Sequence, residues 1–199
     1  MICAGRDCVY AIFFVLCICA QSTAAIGKGD KEGNPVRPSP GAFPGVATPT
    51  EFQWNEHSKL SWEDFRGGIS TMDDEAAAAT HCGIGVKTNT RTSGDKPEII
   101  VYNTFYVNKS WVRADAKLPE ILLHEQGHFD LCEIYTRKLR ERMKKFDFNA
   151  RDIKLALMSI YNEVSNEYEK RQQAYERETI HGTNLSEQKR WVEMIAREL

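Results

Sequence analysis

Leu118-Pro119-Glu120-Ile121-Leu122-Leu123-His124-Glu125-Gln126-Gly127-His128-Phe129-Asp130-Leu131 is the stretch from which the rest of the chain can be read. Pro119 suits the first turn of a helix, where its missing N–H costs nothing, and no further proline follows before Lys145, so the pattern predicts one helix from about Leu118 to Lys145. With His124 as the origin, Ile121, His128, Leu131, Cys132, Tyr135 and Leu139 fall within about 80° of it, while Arg137, Arg140 and Glu141 point elsewhere. Both histidines therefore lie on the stripe that faces the core. Residues four apart share a helix face, so both imidazoles can reach one Zn²⁺ at about 2.0–2.1 Å. Glu125, turned about 100° from His124, stands beside such an ion, where a base for a metal-bound water belongs. Two imidazoles and a carboxylate are expensive to bury without a partner, which weighs against simple core packing.

The composition, 42% apolar and 27% charged over 199 residues with a net charge of −2, is that of an ordinary globular protein and gives no sign of a nucleic-acid partner. Val9 to Ala20 form an apolar run behind Arg6, and Ser22-Thr23-Ala24 or Thr23-Ala24-Ala25 fits a small-x-small cleavage site. Residues 1–25 thus read as a secretory signal, which predicts a secreted or periplasmic protein. The run would rise only about 18 Å as a helix, short of the roughly 30 Å of a hydrocarbon core, so an uncleaved anchor is the lesser alternative. Residues 26–49, rich in Gly, Pro and Lys, read as a flexible linker that could act as a pro-segment, and residues 50–199 as one domain.

Four of the six cysteines lie in the leader; Cys82 and Cys132 remain, either as buried thiols or as a disulfide worth about 4 kcal/mol in the chain-entropy model. Cys132 cannot join His124 on one ion, because a rise of about 12 Å separates them. Leu60 to Phe65, His81 to Thr88 and Glu98 to Val107 carry the β-branched and aromatic character of strands, with Thr92-Ser93-Gly94-Asp95 as a turn between the last two. A second helix is expected from about Ala150, with Asn149 and Asp152 as its cap pair and Ile153, Leu157, Ile160, Tyr161, Val164 and Tyr168 as its apolar stripe. A third runs from Leu185 to the end, capped by Asn184 with Glu187. The class is α+β: an antiparallel or mixed sheet, then the motif helix, then two further helices.

A catalytic zinc site needs a third protein ligand and an open fourth position. His181 is the leading candidate, placed at a helix break before Gly182, which suits a chain reversal. Glu178 is the alternative, on the apolar side of the second helix; Glu163 and Glu167 read as solvated, and His57 and His81 as surface or hydrogen-bonded residues. Asp130, about 160° from His128, reads as a salt bridge or loop cap, and Trp62, Trp111 and Trp191 as core. Gly127 reads as tolerated drift or as a widening of the cleft beside the metal. Tyr135 and Tyr175 are candidate oxyanion donors by residue type alone.

Leu122-Leu123-His124-Glu125-Gln126-Gly127-His128-Phe129-Asp130-Leu131, together with Ser110-Trp111-Val112, Leu60-Ser61-Trp62-Glu63-Asp64-Phe65 and Tyr175-Glu176-Arg177-Glu178-Thr179-Ile180-His181-Gly182, resembles a bacterial domain-of-unknown-function family described as secreted zinc-dependent proteases. The resemblance spans nearly the whole mature domain. It implies a zincin-like metallopeptidase with one Zn²⁺ on His124, His128 and His181, Glu125 as general base, and a peptide, protein or cell-wall peptide as substrate. By analogy with zinc peptidases, Glu98 to Val107 would receive the substrate by edge pairing. The alternative is a zinc-stabilised, non-catalytic binding or scaffold protein of the cell envelope.

Overall fold

The structure is a computed structural model and describes residues 18–22, 49–57, 59–69, 76–89, 98–148 and 152–199. Most of the expected leader, linker residues 26–48, the turn at 92–95 and the cap residue Asn149 lie outside the described residues. The architecture is α+β. A small antiparallel sheet is built from β1 (Ile18–Ser22), β2 (Glu51–Phe52), β3 (Ala78–Asn89), β4 (Glu98–Tyr106) and β5 (Trp111–Val112), and is followed by α1 (Pro119–Lys144), α2 (Ile153–Thr179) and α3 (Leu185–Glu198). The strand order is β1-β3-β4-β2, with β5 pairing the start of β3.

β3 and β4 form the backbone of the sheet, in register from Cys82 opposite Phe105 to Asn89 opposite Glu98. From Ala78 to Val86 β3 is buried at every position except the half-buried His81, which explains why its sequence does not alternate. Helix α1 packs on β3 and β4, α2 lies against α1, and α3 closes on both helices. Phe52, Phe65 and Phe129 all meet the ring of Phe105, joining sheet and motif helix.

Leu60 to Phe65 is not a strand. Trp62–Asp64 forms a 3₁₀ turn, because the Asp64 carboxylate accepts from both the backbone N–H (2.8 Å) and the hydroxyl (2.9 Å) of Ser61. That local bonding outcompetes a ladder. The helices begin where their caps dictate: Asp152 accepts from the N–H of Leu155, Asn184 from that of Glu187, and Pro119 opens α1. Among the described residues no helix is long and apolar enough to cross a membrane.

Candidate metal centre

His124 and His128 sit one turn apart on the face of α1 that meets α2, and both are fully buried. Their Nε2 atoms face each other at 3.0 Å. The third group is Glu176, from the last turns of α2: Oε1 lies 3.1 Å from His128 Nε2 and Oε2 lies 3.4 Å from His124 Nε2. His124, His128 and Glu176 form a group able to hold a metal ion, their ligand atoms all within 4.8 Å of one another. A tetrahedral ion with bonds of about 2.0–2.1 Å has ligand–ligand edges of about 3.3–3.4 Å, close to these separations. Glu125 is buried on the same helix turn, and its backbone carbonyl accepts from the Thr80 hydroxyl at 3.4 Å.

The hydrogen bonds behind the histidines define which nitrogen is free. The Gln172 amide nitrogen donates to the His128 carbonyl (3.0 Å) and to the Tyr168 hydroxyl (2.9 Å), so its oxygen is the end that faces His128 Nδ1, at 2.7 Å. Likewise the Tyr175 hydroxyl donates to the His124 carbonyl (3.1 Å) and accepts from the Gln188 amide (2.7 Å), which leaves the Gln188 oxygen against His124 Nδ1 at 2.9 Å. A carbonyl can only accept, so this chain of bonds has one direction and both Nδ1 atoms must be donors. In the neutral rings, therefore, two Nε2 lone pairs and a carboxylate converge on one point in the interior. Only a cation satisfies all three, either a proton or a metal ion.

The charges respond accordingly. Burial alone would lower the His128 pKa, but the charge and hydrogen bond of Glu176, helped by the charge of Glu125, raise it from 6.5 to about 9. Burial pushes the Glu176 carboxyl up, yet the facing His128 and His124 outweigh it and hold it well below the usual carboxylate range. The Tyr175 phenol is driven up by burial and stays protonated. Its hydroxyl is already committed in both directions and its ring stacks on His124 at 4.6 Å, so it orients the ligand instead of serving an oxyanion. Tyr135 packs on Tyr168, and its pKa is raised mainly by burial.

The three-residue group contains neither of the expected third ligands. His181 lies next to it, with Nδ1 2.8 Å from Glu176 Oε2. Glu178 points away, accepting from Arg190 (2.5 Å) and from the Trp191 indole (3.0 Å). The chain leaves α2 through three successive left-handed residues, Ile180 (φ 50°), His181 (φ 53°) and Gly182 (φ 81°). A β-branched residue in that region is a real outlier, and such strain collects at functional sites. Here it swings His181 back over Glu176 and lays Gly182 against His124, where a Cβ would come within 2.9 Å of the ring.

Gly127 has a definite reason. A side chain there would collide with the Tyr175 hydroxyl, so the glycine admits the residue that anchors His124. Asp130 pins the 54–60 segment: it accepts from Trp54 Nε1 (2.6 Å) and Gln126 (2.7 Å) and pairs with Lys59 (3.4 Å), while Leu60 N–H donates to Gln126 (2.7 Å). Cys82 and Cys132 are both buried free thiols, with Cys82 Sγ 3.4 Å from the Tyr168 hydroxyl. Trp111 and Trp191 are core and Trp62 is half-buried; His57 is exposed beside Glu56, and the His81 N–H donates to the Ser110 hydroxyl.

The model of one family, described as a bacterial protein of unknown function (DUF922), matches residues 70–182, more than half of the chain. No curated protein and no solved structure matches the chain. The matched segment takes in His124, Glu125, His128, Gln172, Glu176 and the strained turn through Gly182, but stops before Gln188.

Proposed function

We propose that this chain, which belongs to the bacterial family of unknown function DUF922, is a secreted zinc-dependent hydrolase of peptide bonds with a zincin-like fold. The observation that carries the reading is the convergence of two correctly tautomerised imidazoles and a buried carboxylate, with a second carboxylate, Glu125, beside them. His124, His128 and Glu176 would hold the ion. When bound, Zn²⁺ polarises a carbonyl and lowers the pKa of a coordinated water toward about 7. Glu125 would accept the proton of that water and hand it to the leaving amine. Gln172 and Gln188 hold the imidazoles at fixed angles, and His181 keeps the Glu176 carboxylate oriented.

Burial favours a second reading, a zinc-stabilised scaffold. His124, Glu125 and His128 are all 0% exposed, as a purely structural site would be. A structural site has no need of Glu125, and that separates the two. Elemental analysis should give one zinc per chain in wild type and in His181→Ala, with the metal lost or sharply weakened in Glu176→Gln. Glu125→Gln should keep its zinc and lose hydrolysis of a quenched-peptide library. No zinc in wild type after reconstitution would sink both readings; zinc with hydrolysis indifferent to Glu125→Gln would remove the mechanism.

A further inference from the structure

The stretch of β3 nearest the metal group has a strand on each side. Ala78 and Ala79 pair with Val112 and Trp111 of β5, and Cys82 with Phe105 of β4, on one side. On the other, β1 pairs antiparallel with the whole stretch, from Ile18 opposite Cys82 to Ser22 opposite Ala78. This is the part of β3 that touches the motif helix: Thr80 reaches the Glu125 carbonyl and Cys82 the His128 carbonyl (3.8 Å). β1 also runs alongside both α1 and α2, the helices that carry the three ligands. It thus lies beside both the β3 edge and the ligand-bearing helices, in a chain whose two histidines and Glu125 are fully buried.

We propose that β1 holds the place of the substrate: an extended peptide pairs antiparallel with Ala78–Cys82 of β3, and a chain that keeps Ile18–Ser22 there is latent. The catalytic half of this inference rests on the hydrolase reading; the docking half does not. An edge strand offers main-chain donors and acceptors to any extended partner, and this one is exposed once β1 leaves. Ala78, Ala79 and Thr80 carry small side chains, so the main chain dominates recognition and the sequence requirement on the peptide is loose. Of the two long strands, β3 is the one that meets the motif turn, through Thr80 and Cys82, whereas β4, the strand of Glu98 to Val107, meets α1 further along, through Asn103 on Glu133 and the Val101 carbonyl on Arg140. The segment that binds here belongs to the leader expected to be removed on export, so one cleavage would both release the chain and open its cleft.

The test uses the full chain with Cys19→Pro and Ala20→Pro together. Neighbouring residues of a strand present their N–H groups to opposite edges, so one of the two prolines must delete a bond to β3. Three readouts are taken on zinc-loaded protein: amide exchange at Ala78–Cys82, binding of a fluorescent peptide of residues 16–24 with serine in place of cysteine, and hydrolysis of a quenched-peptide library. Exchange at least tenfold faster, peptide binding gained and hydrolysis raised at least tenfold over wild type are expected. Ala20→Pro and Gln21→Pro are measured singly should the double variant fail to fold, and the one whose N–H faces β3 is expected to give these results while the other does not. Unchanged exchange together with equal peptide binding by wild type and variant would overturn the docking, whatever the activity. Faster exchange and gained binding with equal hydrolysis in both would overturn the latency. Gained binding with no hydrolysis by either chain would leave the edge standing and remove the hydrolase reading.

Discussion

Replacing Gln172 by leucine isolates the tautomer argument from the ligands themselves. Leucine keeps most of the volume and removes three bonds at once: the acceptor for His128 Nδ1–H and the donors to the His128 carbonyl and the Tyr168 hydroxyl. Loss of a partner that orients a ligating histidine typically costs 10- to 100-fold in metal affinity, or about 1.4–2.7 kcal/mol. The buried carbonyl and hydroxyl left behind cost a further ~1–3 kcal/mol of stability, with or without metal. Gln172→Glu separates the two effects, since its carboxylate still accepts from Nδ1–H but cannot donate to the carbonyl. The leucine variant should lose both zinc affinity and metal-free stability. The glutamate variant should bind zinc at least as tightly as wild type while losing metal-free stability. Competition against a chromophoric chelator measures the first quantity and thermal unfolding of the metal-free chain the second. Wild-type zinc affinity in Gln172→Leu, alongside a lowered Tm, would show that Gln172 only packs, and the assignment of both Nδ1 atoms as donors would fall.

Gly127→Ala improves helix propensity by about 1 kcal/mol, yet its Cβ meets the Tyr175 hydroxyl, so a net loss of ~1–3 kcal/mol is expected, with partial recovery in Gly127→Ala/Tyr175→Phe. Calorimetry decides, at about 2–4 °C per kcal/mol for a chain of this size, and a raised Tm in the single variant would refute the contact. Gly182→Ala combines a left-handed backbone (φ 81°) with a Cβ 2.9 Å from the His124 ring; zinc affinity should fall at least tenfold, whereas unchanged binding in chelator competition would show that the turn does not position that ligand. In the metal-free chain the His128 pKa is raised to about 9, so its contribution is complete below 6.5 and is lost as the pH rises through 9. The stability of the metal-free chain should therefore decline across that window, by up to about 3 kcal/mol, with its Tm falling in step, while zinc-loaded protein stays flat because the metal has replaced the proton; parallel profiles would contradict the shared site.

The helical half of the fold was legible because each boundary has a chemical mark. Pro119, Asp152 and Asn184 start the three helices where the sequence places them, within the tolerance of a turn. The 3₁₀ turn at Trp62–Asp64 was missed because the aromatic and acidic residues were read for strand character, whereas Ser61 and Asp64 decide the conformation by bonding each other. His124, Glu125 and His128 come directly from the spacing on one helix. The third ligand does not, because it depends on how a second helix docks. Glu176 and Glu178 lie about 80° from Tyr168 on opposite sides of the α2 stripe, so periodicity cannot choose between them. Docking chooses: α1 takes the side with Glu176, and Trp191 and Arg190 of α3 take the side with Glu178. One signal was available, the amide of Gln172 one turn before Glu176 on the buried stripe, since a buried amide implies a polar neighbour to satisfy it.

That polar layer also explains why the centre cannot be a by-product of packing. His124 and His128 come from α1, Gln172, Tyr175 and Glu176 from α2, and Gln188 from α3, so one hydrogen-bonded network spans all three helices. A core needing only cohesion would fill this space with leucine and valine, as the neighbouring layer does around Leu131, Leu139 and Val164. Instead the Gln172, Tyr175 and Gln188 donors of this network all meet acceptors, and the point where the Nε2 atoms and Glu176 meet is matched by a positive charge. Gln188 makes the economy of the arrangement clear: it lies beyond the matched family segment, yet its one amide ties the short α3 helix both to His124 and to Tyr175. A metal ion held at the centre would therefore fasten α3 and the strained 180–182 turn as well as the two long helices, and would make its binding and the docking of the C-terminal helices one equilibrium.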